Sequence, residues 1–148
     1  MSNATNFSQM IQRYITEKNE TCDKLYEIIN ERISDSFTLK QYLLDKLKSN
    51  QETFEENLLN FERLTYDIKN KYNANEKVPM LIMMTVQRLI AVVNDILNNL
   101  RYFDSIIKEA EMKDYVISYN ECNHIAYVIK LSNGYFKSYI KELQFYLE

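Results

Sequence analysis

Glycine and proline are almost missing from this chain, because its 148 residues contain one of each, Gly134 and Pro79. A β-sheet protein of this length needs a tight turn every ten residues or so, and such turns depend heavily on these two residues. Helices need them only near their ends. The sequence therefore predicts an all-α fold. The length predicts one domain over residues 1–148.

Apolar residues recur at alternating spacings of three and four along four segments, which indicates helices that pack along one side. The segments predict helices over about 7–34, 38–72, 79–113 and 118–147, after a flexible tail at 1–5. The first seam consists of Ile11, Ile15, Lys18, Cys22, Leu25, Ile29 and Ile33. The third and most regular seam consists of Ile82, Val86, Leu89, Val93, Ile96, Leu100, Phe103, Ile107 and Ala110.

Short connections between long helices make consecutive helices antiparallel. The predicted architecture is an elongated up-down-up-down four-helix bundle with coiled-coil-like packing. An open helical hairpin that a second chain completes would give the same sequence pattern. The last seam keeps its phase past Gly134, which favours one continuous helix over two helices broken at residues 132–134.

Two helix starts have the spacing of a capping box, in which a hydroxyl and a Glu or Gln three residues later bond to each other's backbone N–H groups. Ser118 and Glu121 form one such pair, and Thr38 and Gln41 form the other, with Ser36 as a competing cap.

A charged residue, Lys18, falls within the first seam. Its aliphatic stem is expected to lie along the groove while its ammonium group reaches water. Asp104 and Glu111 are candidate counter-charges, provided that the first and third helices align in that way.

The most apolar stretch of the chain is VPMLIMMTVQRLIAVV, residues 78–93. A membrane-spanning helix needs about 20 mainly apolar residues, but Arg88 interrupts this stretch and Asn94 and Asp95 end it. We therefore expect no membrane span.

Met80, Leu81 and Met84 remain on the outside of the third helix when its seam faces the bundle. One explanation is that the chain covers them with its own ends. The side chains available for this are Phe7, Met10, Tyr72, Phe145 and Leu147. The other explanation is that they form a surface for another chain, since methionine adapts readily to different partners.

Twelve tyrosines accompany no tryptophan, and tyrosine is enriched at protein interfaces. Tyr102 and Tyr135 lie off the main seams, as do Tyr115 and Tyr127. We take Tyr102 and Tyr135 as further candidates for protein contacts. The alternative is that each ring lies over a neighbouring helix with its hydroxyl in water.

No catalytic or cofactor motif can be written with these residues. A di-iron bundle needs two Glu-x-x-His pairs, but His124 is the one histidine. A structural zinc ion needs four ligands, and only Cys22 and Cys122 could supply thiolates. Phosphate-binding loops need several glycines. We therefore expect no metal, no cofactor and no enzymatic activity.

The net charge of −3 is spread evenly along the chain, without the basic segment that binding to a phosphate backbone requires. Nucleic acid is thus disfavoured as a partner.

The amino terminus does not have the pattern of a signal peptide, which predicts a cytoplasmic protein, or a protein of the virion or host cytoplasm if it is viral. Asn, Ile, Lys and Tyr supply 56 of the 148 residues. This bias is typical of A/T-rich coding and is compatible with a phage or mobile element.

Together these features predict a non-catalytic helical protein that works through protein–protein contacts. It would be an adaptor, an assembly or virion component, or an inhibitor, with a protein partner or as a homo-oligomer. The alternative is a sensor of a small apolar ligand or lipid, in which the bundle opens at its methionine-rich end.

Overall fold

The computed structural model describes the backbone of residues 3–33, 37–72 and 77–148, and their side chains from Phe7 onwards. Four long helices account for most of this backbone, and no strand occurs in it. They are α1 (Asn3–Glu27), α2 (Lys40–Lys71), α3 (Met80–Lys113) and α4 (Tyr119–Leu147). A short π-helical segment (Ile28–Arg32) follows α1 directly. The all-α fold class is confirmed.

Helix boundaries agree with the predicted ones to within about two residues for α2, α3 and α4. The first helix differs more. It begins at Asn3, inside the tail predicted for residues 1–5, and widens to the π form before residue 33. The wider turn is closed by a bond from the N–H of Ile33 to the carbonyl of Ile28. Residue 34, the predicted end of this helix, lies outside the described residues.

The helices pack as a bundle in which α1 contacts α3, α3 contacts α4, and α4 contacts α2. Side-chain pairs fix the directions. The ammonium group of Lys71 donates a hydrogen bond to the carbonyl of Leu147, and the amide of Asn50 donates one to the carbonyl of Ala126. The later residue of α2 thus meets the later residue of α4, so the two helices run parallel. Glu20 pairs with Arg101, and further along both helices Lys24 pairs with Asp104, so α1 and α3 also run parallel. Consecutive helices alternate in direction, but two of the three close pairs join helices that are not consecutive.

One apolar core connects all four helices. The predicted seam of α3 is buried at every position, from Ile82 to Ala110. An aromatic cluster lies at the centre of the bundle. Its rings meet edge to face at 4.8 Å between Tyr14 and Phe61 and at 5.9 Å between Phe61 and Phe136, the geometry that aromatic quadrupoles favour.

The first seam contains one wrong prediction. Ile15 is 40% exposed, whereas Tyr14 is buried at 1%. The spacing of three and four also holds if Tyr14 replaces Ile15, so the pattern alone did not separate them. Tyr14 is tolerated in the core because its hydroxyl donates a hydrogen bond to Glu62 at 3.1 Å. Burial and the nearby Glu62 carboxylate raise the pKa of Tyr14, which keeps the phenol protonated.

Lys18 pairs with Glu62 of α2, and neither of the counter-charges considered for it is used. The side chains of both partners are about one-third exposed, as expected for a lysine whose stem lies along a groove. Asp104 forms ion pairs with other cations, Lys24 and Arg32. Parallel packing of α1 on α3 places it beyond the reach of Lys18, one to two turns further along.

The Ser118 half of the capping box predicted for α4 is confirmed, because Ser118 Oγ accepts a bond from the N–H of Glu121 at 3.1 Å. The cap predicted for α2 at Thr38 is wrong. The residue before this helix is Leu39, which provides no side-chain cap. The competing cap, Ser36, lies outside the described residues. Helix α4 runs through Gly134 without a break, as predicted.

Candidate functional site

Three apolar side chains at the start of α3 lie on the outside of the bundle. Met80 is 70% exposed, Leu81 57% and Met84 41%. The intervening Ile82 and Met83 are buried, so this part of α3 is apolar on both its inner and its outer side. We call Met80, Leu81 and Met84 the α3 apolar surface.

The chain ends that were expected to cover this surface do not bury it. Phe7 is buried within the core, and Phe145 points into solvent with 72% of its side chain exposed. Half-buried against the core are Met10, Tyr72 and Leu147. Among the described residues these contacts leave Leu81 and Met84 at least two-fifths exposed.

The two tyrosine candidates lie elsewhere. Tyr102 is 63% exposed and follows Met84 by 18 residues in α3, which corresponds to roughly 27 Å along the helix axis. Tyr135 is 54% exposed and belongs to α4. The structure therefore brings Met80, Leu81 and Met84 together, and it separates Tyr102 and Tyr135 from them in sequence and along the helices.

Tyr135 is part of a second exposed surface that the sequence analysis missed. Tyr127, Leu131 and Tyr135 are 58%, 44% and 54% exposed, and their spacing of four residues places them on one side of α4. Together they border a depression of about 380 Å³. It is completed by Lys130, Gly134 and Ser138. We call these six residues the α4 outer surface. Their spacing was the available signal.

Buried asparagines hold α2 against α4. The amide of Asn50 donates to the carbonyl of Ala126 at 3.2 Å, and that of Asn57 donates to the carbonyl of Asn133 at 3.2 Å. Asn133 donates in turn to the carbonyl of Asn50 at 3.3 Å. Its own Oδ1 accepts no bond from any part of the chain that the structure describes. These reciprocal bonds fix the register of the two parallel helices.

A groove of about 390 Å³ runs beside these asparagines, between α2 and α4. Lys46 of α2 and Lys130 and Lys137 of α4 line it, and its lining contains no carboxylate. Tyr127, Lys130 and Gly134 border both this groove and the depression on the α4 outer surface. The two hollows therefore form one continuous basic and aromatic region.

Charged side chains converge on Asp104, whose side chain is 5% exposed. Arg32 Nε donates to Oδ1 at 2.8 Å, and Lys24 and Lys108 approach Oδ2 at 3.3 and 3.2 Å. Glu27 accepts from both Lys24 and Arg32. The π-helical turn places Arg32 where it can reach Glu27, five residues earlier, and Asp104 at once.

The pKa of Asp104 reflects two opposed effects. Burial raises it, but hydrogen bonds from Lys108 and Lys24 and their positive charges outweigh burial, so the pKa lies below its ordinary value. Asp104 is thus ionised in the folded protein. Its charge is balanced by Lys24 of α1, Arg32 of the π-helical segment and Lys108 of α3. The cluster therefore links these three elements of the bundle.

The residues considered for metal or nucleophilic chemistry do not converge. Cys22 is half-buried and Cys122 is buried, and both are free thiols. Burial raises the pKa of both, which disfavours the reactive thiolate. His124 is exposed on α4. Across residues 3–33, 37–72 and 77–148, no three His, Cys, Asp or Glu side chains are grouped so that they could hold a metal ion.

A further cavity of about 280 Å³ lies at the opposite end of the bundle from the α3 apolar surface, near the α3–α4 connection. Phe37, Ile107 and Ile117 supply its apolar lining, with Glu111 and Asp114 among its polar residues. The α3 apolar surface contributes to neither this cavity nor the hollows described above. The expectation of an apolar-ligand sensor that opens at the methionine-rich end therefore stays a prediction.

Helix α3 is long and apolar enough to cross a membrane, by length and composition alone. It is the one helix among the described residues that meets this criterion, and 56% of the qualifying stretch is buried within the bundle. Core helices of water-soluble bundles meet the same criterion. The expectation that the chain has no membrane span stays a prediction.

No protein-family model matches this chain, and no curated protein or solved structure matches it either. Inferences about its function therefore rest on the surfaces, hollows and charges of the molecule itself.

Proposed function

We propose that this protein acts through protein–protein contacts made by the α3 apolar surface, and that it carries out no reaction of its own. The observation that supports this is the exposure of Met80, Leu81 and Met84 beside a helix side that is otherwise buried. Solvent contact of such side chains is unfavourable by roughly 25 cal/mol per Å² of apolar area. A partner that covered them would recover this free energy.

The composition of the surface fits a protein partner. Two of its three residues are methionines, whose unbranched side chains repack against differently shaped neighbours. The chain as a whole is acidic, with a net charge of −3, which disfavours nucleic acid. An adaptor, an assembly or virion component, and an inhibitor are all consistent with such a contact. We favour self-assembly in the cytoplasm as the version to test first.

The chemistry of the remaining side chains supports a non-catalytic role. Both thiols have raised pKa values because of burial. The most strongly connected carboxylate, Asp104, forms ion pairs with three cations. A carboxylate whose oxygens are already held in ion pairs is a poor general base.

The test is sedimentation velocity of the purified protein at concentrations from about 1 to 100 µM, with far-UV circular dichroism on the same samples. We expect concentration-dependent association of the unmodified protein. Met84→Lys should abolish it and leave the helical content unchanged, because the new ammonium group points into solvent in the isolated chain. Asn98→Lys is the matched control, since Asn98 is also exposed on α3 but follows Met84 by 14 residues, roughly 21 Å along the helix axis.

The proposal would be contradicted if the unmodified protein remained monomeric and Met84→Lys lowered its melting temperature. That result would mean that Met84 is part of the chain's own packing. Equal loss of association in both lysine variants would indicate a general charge effect and would likewise count against it.

A further inference from the structure

Gly134 occupies a position in α4 where the fold does not need a glycine. Its backbone is helical and its φ is not positive. A Cβ atom placed on it would meet nothing within 4 Å. Glycine in a helix interior costs about 1 kcal/mol relative to alanine. The isolated chain therefore accepts this cost without any packing benefit inside the bundle.

The absence of a side chain at Gly134 can favour contacts outside the bundle, because Gly134 lines the depression on the α4 outer surface. Tyr127, Leu131 and Tyr135 rise around it, each at least two-fifths exposed. Without a side chain at Gly134, the backbone of an approaching element can come closer to α4 than at any other position of the helix. Amphipathic helices dock into hollows of this kind through apolar side chains at intervals of three and four residues.

The charges around the hollow indicate what kind of helix would fit. Lys46, Lys130 and Lys137 line the adjoining groove. Within the described residues these lysines form no ion pair, whereas Lys24, Lys108 and other cations of the bundle are paired. Three uncompensated positive charges on a protein of net charge −3 make this region electrostatically distinct, and they complement an acidic partner.

We propose that the α4 outer surface and the adjoining groove bind an amphipathic helix of another protein, with its apolar side over Gly134 and acidic residues facing Lys130 and Lys137. This site is separate from the α3 apolar surface and does not depend on the function proposed for that surface. The exposed tyrosines supply large apolar contact areas with few rotatable bonds, which suits them as anchors.

The test uses a displayed library of 18-residue helical peptides with leucine fixed at spacings of three and four, and with Glu, Lys, Gln or Ser at the flanking positions. It is selected against the immobilised full chain. We expect peptides with acidic flanks to be enriched at least tenfold over peptides with basic flanks. Binding of the enriched peptides is then measured by fluorescence anisotropy.

Two variants locate the binding site. Gly134→Leu fills the closest point of approach. Its Cβ atom would meet nothing within 4 Å at this exposed position, so the protein should remain folded and bind the selected peptides at least tenfold more weakly. Lys130→Glu combined with Lys137→Glu should weaken binding of the acidic peptides by a similar factor. The matched control reverses Lys48 and Lys69 of α2, which are exposed but outside the groove, and should bind as the unmodified protein does.

Several outcomes would overturn the proposal. Enrichment without regard to flanking charge, or no enrichment at all, would remove the argument from charge complementarity. Peptides that bind Gly134→Leu as tightly as the unmodified protein would place the site elsewhere. Self-association that Gly134→Leu abolishes and Met84→Lys leaves intact would identify the occupant as a second copy of this chain. Loss of association in Met84→Lys alone concerns the α3 apolar surface and leaves the peptide result to be judged separately.

Discussion

Replacement of Asp104 by asparagine removes the carboxylate on which three cationic side chains converge, while it leaves a side chain of nearly the same size in the same place. Arg32, Lys24 and Lys108 all approach the two oxygens of Asp104 within 3.3 Å. The asparagine would keep one acceptor oxygen and present an amide group to at least one of the cations. The perturbation is therefore electrostatic, with little change in packing.

The expected loss of stability can be worked from these contacts. Breaking a fully buried ion pair by removing one partner costs about 3–5 kcal/mol. The three cations here are 22% to 51% exposed, so solvent compensates part of their lost interaction. We therefore expect Asp104→Asn to lower the free energy of unfolding by about 2–3 kcal/mol, which does not exceed the lower end of the fully buried range. For a chain of this size the melting temperature should fall by about 5–10 °C.

The pH dependence gives a second, independent reading of the same carboxylate. Its pKa is lower in the folded protein than in the unfolded chain. Its contribution to stability is therefore complete above the unfolded pKa of about 3.9 and is lost as the pH falls through the lower folded value. The stability difference between the unmodified protein and Asp104→Asn should be constant near neutral pH and should shrink below about pH 4.

Urea unfolding monitored by circular dichroism at pH 7 and pH 3 measures both effects. Glu109→Gln is the control, because Glu109 pairs with Lys113 on the surface, where both side chains are at least half exposed, and it should cost less than about 0.5 kcal/mol. A difference below 0.5 kcal/mol for Asp104→Asn at pH 7, or one that is equal at both pH values, would refute the argument that this cluster stabilises the bundle through its ionised carboxylate.

Three other substitutions test local features of the fold by thermal or urea unfolding. Ser118→Ala should destabilise by about 1 kcal/mol through loss of the cap on α4, and an unchanged stability would show that the Oγ bond to Glu121 contributes nothing. Asp114→Gly should stabilise by about 0.5–1 kcal/mol, since Asp114 has a left-handed φ of 54° at the end of α3 and relief of that conformation, about 1–2 kcal/mol, exceeds the entropic cost of glycine, about 0.5–1 kcal/mol; a loss of stability would contradict that reading. Asn57→Ala should cost about 1–3 kcal/mol, because it removes the amide that donates to Asn133 and leaves a gap between α2 and α4. A neutral result there would mean that these amides do not hold the two helices together.

The helices themselves could be predicted closely, and the reason is physical. A residue in a long helix faces the same side as those three and four positions away, so a buried side must repeat with that spacing, as α3 shows from Ile82 to Ala110. The choice between Tyr14 and Ile15 could not be made in this way. It depended on whether a partner across the bundle could satisfy the tyrosine hydroxyl, and Glu62 provides that partner.

The candidate surfaces were predictable in part. The positions of Met80, Leu81 and Met84 outside the seam of α3 followed from the helical pattern, and their exposure in the folded chain agrees with that pattern. The surface around Tyr127 and Leu131 is not evident from the residues taken one at a time, although the spacing of four that unites them is present in the sequence. The role of these surfaces in binding stays a proposal.

The order of residues along the chain determined the number of helices, their ends to within a few positions, and the side that each turns inward, since these depend on contacts between near neighbours. Which helices lie side by side was decided only in three dimensions. The parallel pairing of α2 with α4 depends on amides such as Asn50 and Asn133 that meet carbonyls on the opposite helix. Likewise, Asp104 became the meeting point of three cations because α1 and the π-helical segment come to lie beside α3. Such contacts join residues more than 70 positions apart, and no periodicity along a single helix encodes them.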